Sequence, residues 1–486
     1  MPRLRLWSVL ILAALPAPAL RAQDKAPSPW AIDRTLSVSP RAAPVPALKY
    51  RLLPLSSELK EGNAVPIYLR LIHEQSDATQ KYWTETPRQW NKLPVDKLPV
   101  EQIREFLRDR RFAHFPRQLE LAARRRTTEW NYTLDDGNPI GLLLPDVQIM
   151  RTYAPLLVLQ VRLALAEGDF PKAAHRLETC FAFSRHVGDG PTLVHSMAAF
   201  ALASQFTDAV GDFVERPGAP NLYWALTALP RPLLDPRGAL GWEYHLLENQ
   251  FPELGDLDRA RTAEQWDGLL RRVRAEVRAI ALSEDVRKPP QFPDWFPKHY
   301  APEDTAAKSP DLAAARKSVA RSKGLSADKV EAMPPAQVLL LYLVDTYHEK
   351  RDDLYRGFYL PYPRAFPLFE AATGRLRQAP TSEGAVLARM FLPDLPKVIS
   401  REARLERSLA ALRVIEALRL YAAAHDGRLP DKLIEVTEAP LPNDPGTGRP
   451  FEYSRDGDAG ALVGRPLPGD PLPNNGIRYR VTLRKK

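Results

Sequence analysis

The sequence predicts a mainly α protein, built of helical hairpins or a bundle and ending in a small α+β module, a helix plus a short antiparallel sheet. Two patterns carry that expectation. Apolar residues recur at spacings of three and four from Leu156 to Glu215, the period of one helix face. After Gly427 the pattern changes to turn signals and short apolar runs, as in a small sheet. The chain has 486 residues, and at about 150 residues per domain it holds roughly two to four domains. Hydrophobic residues make up 44% and charged residues 26%, enough to bury a core. Its 48 prolines cut it into short elements, because each locks φ and removes a donor.

The N-terminus reads as a secretory signal over residues 1–23. Arg3 and Arg5 give a positive start, Leu6 to Leu15 is apolar except for Ser8, and Ala17, Ala19 and Ala22 offer small residues for cleavage. The apolar run is about half of the roughly 20 residues that a spanning helix needs, and no later stretch is an uninterrupted span. An exported chain without a transmembrane anchor is therefore expected, in the periplasm or outside the cell. Export argues against nucleic acid as a partner, even though the net charge is +9. Residues 24–46, rich in Pro, Ala and Ser, read as a linker, with order expected from Ala47.

A helical domain is expected over 47–255. Leu156, Leu159, Leu163 and Ala166 share one helix face, and Gly168 ends that helix. Asp169 is placed to cap the next, with Pro171 tolerated in its first turn. Ala173, Leu177, Cys180 and Ser184 line the second helix, which Gly188 stops. Leu193, Met197, Phe200 and Ser204 line a third. A second helical region with Pro-rich connections is expected over 256–400. Leu269, Val273, Val277 and Ile280 mark one helix there, and Ala336 to Tyr355 another. Pro289, Pro290, Pro293 and Pro297 break the chain between them, and Tyr355 to Phe369 reads as a packed irregular connection. In the last region, 401–486, Leu405, Leu409, Leu412 and Ile415 form one stripe and Val414, Leu418 and Tyr421 another, so the helix should pack on two sides. Strand candidates are Phe451 to Tyr453, Ala461 to Val463 and Ile477 to Leu483, preceded by the turn Asn443-Asp444-Pro445-Gly446.

Three resemblances attach to these segments. Ala166 to Ala173 resembles the turn of a tetratricopeptide repeat, though no second copy follows at a period of about 34. Ala47 to Pro54, Gly62 to Ala64, Ser184 to Gly188, Asn221 to Leu226 with Leu229-Pro-Arg-Pro232, and Ala332 to Val338 resemble a family of exported, uncharacterised planctomycete-type proteins. That likeness implies no activity. The outline Gly427-Arg-Leu-Pro430, Asp444-Pro-Gly446 and Gly448-Arg-Pro-Phe451 is similar to the head of type II secretion pseudopilins. It implies a similar small α+β module, while the prepilin leader and N-terminal spanning helix of that family are not matched.

No motif carries chemistry. There is no Gly-x-Ser-x-Gly, no phosphate loop and no His-Glu-x-x-His, and the lone Cys180 among Leu177, Phe181 and Phe183 reads as a buried apolar residue. His245 with Glu248, and Asp345 with His348, have the spacing of metal ligands on one helix face, but a hydrogen-bonded or surface histidine is the commoner case. Asp352-Asp353 and Asp135-Asp136 would serve a glycosidase only if the fold paired an acid with a base, and Asp135-Asp136-Gly137-Asn138 reads first as a turn. Asp456 and Asp458 could bind calcium, but their spacing departs from the helix–loop–helix pattern and a plain turn is the favoured reading. No catalytic residue, metal or cofactor is expected. The cluster Arg108, Arg110, Arg111, Arg117, Arg124, Arg125 and Arg126 is interleaved with acids and reads as a solvated helix face, with binding to an anionic envelope polymer as the sharper alternative. Tyr223, Trp224, Trp242 and Tyr244 would stack on sugars if exposed. The function expected is an exported helical scaffold or interaction protein of the cell envelope, with other envelope proteins or anionic envelope polymers as partners. The alternatives are an envelope hydrolase of glycan or peptide whose acid and base are distant in sequence, and a carbohydrate-binding module. Converging carboxylates of raised pKa in a cleft would favour the hydrolase.

Overall fold

The segment from Leu156 to Glu215 folds as three successive helices, Ala154–Ala166, Phe170–Gly188 and Leu193–Glu215. Gly168 takes φ +74°, which a side chain would strain, and turns the chain between the first two. The Asp169 carboxylate then accepts the Lys172 amide at 3.0 Å and caps the second helix. Leu159, Leu163, Leu177, Cys180 and Phe200 are buried along the expected faces. The stretch Pro145–Ala166 has the length and mean hydropathy, 1.3, of a membrane span, but 72% of it is buried inside the protein, as befits a core helix.

The structure is a computed structural model and describes residues 28–74, 77–109, 114–132, 144–282, 296, 300–379, 383–472 and 474–484. The signal region, Arg110, Arg111, the Asp135 to Asn138 turn and the prolines from Pro289 to Pro297 lie outside the described residues. Mainly α with a small C-terminal α+β module is the fold found. The chain divides into two units. One is discontinuous, made of Lys25–Asn131, Leu144–Gly241 and Lys397–Lys486; the other is central and carried chiefly by Trp242–Pro396. The expected divisions after 255 and after 400 are therefore displaced, and the C-terminal module belongs to the same unit as the helical hairpins.

The linker expected at 24–46 is also corrected. Trp30–Val38 forms strand β1. Strands β2 (Lys60–Asn63) and β3 (Arg125–Thr127) pair in parallel as a separate two-stranded ribbon. In the module, β4 (Glu452–Asp456), β5 (Ala459–Gly464) and β6 (Gly476–Leu483) form the expected antiparallel meander. β1 then adds in parallel to β6, giving a mixed sheet of order β1-β6-β5-β4. Leu36 and Val38 of β1 and Ile477, Tyr479 and Val481 of β6 are buried, alternating with polar residues, so one face carries the core.

The long C-terminal helix, Leu395–Ala424, is buried at every residue from Arg407 to Leu420. It therefore packs on more than the two sides expected, and it carries charges inward. Arg407 makes a two-point ion pair with Asp444 at 2.8 and 2.9 Å and donates to the Asn475 and Arg465 carbonyls. Gly446 and Gly464 give it room: a Cβ on either would fall 2.7 or 2.9 Å from its side chain. Arg419 pairs with Glu416 and donates to the Ala219 and Ser39 carbonyls. Breaking such a buried pair costs about 3–5 kcal/mol, because the abandoned charge has no water.

In the central unit, helices Ala263–Ala281, Leu312–Lys323, Pro335–Tyr355 and Glu383–Phe391 supply a core that includes Trp266, Leu270, Leu339, Tyr347 and Leu387. The irregular connection expected from Tyr355 to Phe369 is instead helical from Tyr362, within Tyr362–Gln378. Its leading prolines fall at the cap and in the first turn, where no amide proton is required.

Candidate functional site

The structure joins one residue from each candidate metal pair. His348 Nε2 lies 2.6 Å from Glu248 Oε1, with Arg351 close by at 3.8 Å. Asp345 turns to Ser322 and Lys323, at 2.6 and 3.2 Å. Among the described residues no group of three or more potential ligands gathers. The arrangement is a hydrogen-bonded histidine inside a polar layer, where the Arg351 guanidinium lies 3.5 Å above the Tyr244 ring. Asp352 pairs with Arg351, and Asp353 with Arg356 and Arg375.

Three arginines of the cluster, Arg124, Arg125 and Arg126, pair internally. Arg124 reaches Glu178 and Thr179, Arg125 donates to the Glu61 carbonyl, and Arg126 pairs with the Glu61 carboxylate. His175, wedged among Glu120, Glu178 and Arg124, is raised to about 9, first by its hydrogen bond to Glu120. Tyr223 is fully buried and donates to the Pro440 carbonyl, so it offers no sugar platform. Cys180 is buried, and burial pushes its thiol well above the usual range. Asp456 and Asp458 flank Gly457 in the exposed β4–β5 turn, where Gly457 takes φ +57°.

A different place in the discontinuous unit has the form of a binding site. A cavity of about 350 Å³ opens on the C-terminal helix, a size within the usual range for small-ligand sites. Its floor is one stripe of that helix, Glu406, Leu409, Ala410 and Arg413, spaced so that they share a face. One wall is Leu226, in helix Tyr223–Thr227, with Leu229, Pro230 and Arg231 from the turn after it. The other runs from Pro440 to Asn443 and adds Pro445, a stretch stiffened by prolines without amide donors. A second hollow, lined by Trp83, Tyr153 and Leu156 among others, is too tight to admit water.

The electrostatics of the cavity are uneven. Burial lowers the Arg413 pKa, and the nearby Arg231 charge lowers it further. Burial raises Glu406, whose Oε1 accepts the Leu233 amide at 2.8 Å. One turn back, Glu402 is raised to about 8 by burial, then by the charges of Glu406 and Asp235. Sequence reading missed this site because its walls lie far apart in the chain. The only signals were the polar members of the helix stripe, Glu406 and Arg413, and the Leu229-Pro-Arg-Pro232 turn. No family model, curated protein or solved structure matches the chain.

Proposed function

We propose that the protein is an exported helical scaffold and binding protein of the cell envelope, acting through the cavity on the C-terminal helix rather than by turnover. The cavity supports this reading: it is mostly apolar, holds a few polar groups, and rests on a helix buried at every residue from Arg407 to Leu420. Such a floor is pre-organised, which favours binding by reducing the ordering that association requires. Export is supported by Arg3, Arg5 and the Leu6 to Leu15 run.

A second reading, an envelope hydrolase, is favoured by one observation. Glu402, held protonated up to about 8, lies one helical turn from Glu406, and an acid beside a carboxylate is the pairing that glycoside hydrolysis uses. Incubating the purified protein with sedimented envelope material from the native host, and measuring soluble sugars and free amines released, separates the two. The binding reading expects blank-level release from both the wild type and Glu402→Gln. Release by the wild type that Glu402→Gln abolishes overturns it in favour of the hydrolase.

A further inference from the structure

The C-terminal helix carries three buried arginines, and they are treated differently. Arg407 and Arg419 each have a carboxylate and backbone carbonyls around the guanidinium. Arg413, only 8% exposed, donates from Nε to Thr227 Oγ1 at 3.2 Å and is also hydrogen-bonded to the Tyr223 side chain, whose ring lies 5.9 Å away. Among the described residues no carboxylate comes within ion-pairing distance of it, nor of Arg231, whose Nη2 donates to the Thr227 carbonyl at 3.1 Å. Both arginines line the same cavity. The two cations repel each other, and the buried Arg413 charge without a paired counter-ion is costly. The Glu406 carboxyl in the floor is engaged by the Leu233 amide, and even ionised it balances only one of the two. Around these heads the lining is apolar: Leu226, Leu229, Leu409 and Leu441, with Pro442.

We infer that the cavity takes an amphipathic anion: one carboxylate or phosphate head between Arg413 and Arg231, and an apolar body along the leucines. This rests on the binding reading and names its ligand class. Arginine suits the role, because its planar fork donates two parallel hydrogen bonds to either head group. The head group supplies the missing counter-charge, and the body displaces water from apolar surface.

Calorimetric titration of the purified protein with decanoate, decyl phosphate and decanol, each below its micelle concentration, tests this. Decanoate or decyl phosphate should bind one per chain, and the tighter of the two identifies a carboxylate or a phosphate head. Decanol should bind at least about tenfold more weakly, the scale of a lost charged hydrogen bond. Arg413→Met should weaken the anion by a similar factor, with Arg413→Lys partly restoring it. Arg231→Gln, at an exposed position, should weaken binding while leaving the urea midpoint at the wild-type value, so the test survives if Arg413→Met does not fold. Decanol binding as tightly as the anions, or anion binding indifferent to Arg231→Gln, would overturn the charge inference and leave the cavity as a neutral binding site. Binding of none of the three would overturn both the ligand class and the binding reading.

Discussion

His195 is fully buried, with Nδ1 2.9 Å from Thr192 Oγ1 and its ring 4.9 Å from Trp130. Gly190 packs so closely on it that a Cβ there would overlap the ring. Burial lowers His195 to about 4, and burial with the Arg185 charge lowers His186 likewise, beside the Tyr68 hydroxyl at 3.0 Å. Both are neutral bases in the fold. Their contribution is present above the unfolded value of about 6.5 and is lost as pH falls from there towards 4. For His195 that loss is on the order of 3 kcal/mol. Glu402 has the opposite sense: its contribution is present below the ordinary 4.5 and is lost as pH rises through about 8. The urea midpoint should therefore fall on acidification below 6.5, and Glu402→Gln should raise it at pH 9. A midpoint unchanged between pH 7 and 4.5 would contradict the histidine burial, and destabilisation by Glu402→Gln at pH 9 would contradict the carboxyl's strained ionisation. None of this was legible in the sequence, where the histidines form no pattern and burial depends on Trp130 and Tyr68, far away along the chain.

The helix Leu395–Ala424 joins the α+β module to the hairpins. Leu418 sits in a cluster with Tyr223, Leu429 and Val436, while Leu412 is buried on another side. A buried Leu→Ala substitution costs about 2–5 kcal/mol. Leu418→Ala and Leu412→Ala should each destabilise the discontinuous unit, and hydrogen exchange should quicken both after residue 427 and between Ala219 and Leu234. Loosening confined to residues 401–486 would mean that the module stands apart. The helix and the three strands after it were legible because their periods, 3.6 and 2, survive in the apolar residues. Strand β1 was not, although Ile32, Leu36 and Val38 alternate with polar residues. Flanking prolines and alanines hid the run, and its partner is β6, at the other end of the sequence. The prolines misled again at Tyr362, where they open a helix that the reading took for irregular chain.

At the scale of the molecule, the discontinuous unit is closed by its ends. The N-terminal strand pairs with the last one, and Arg34 on β1 reaches Asp212 and Glu215 of helix Leu193–Glu215 at 2.7 and 3.1 Å. Within that unit Leu229, Arg413 and Pro440 meet around one cavity, an adjacency that no local pattern encodes. The site is a shape holding two arginines with no ion-paired carboxylate among the described residues, not a run of residues. On the proposed function, a ligand is held there and left unchanged. Hydrogen-exchange mass spectrometry of the wild type with saturating decanoate tests it most directly. The predicted result is slower exchange at 226–233, 406–413 and 440–446, with the decanoate mass intact after prolonged incubation. Exchange unchanged in those three stretches, or a new product mass, would contradict it.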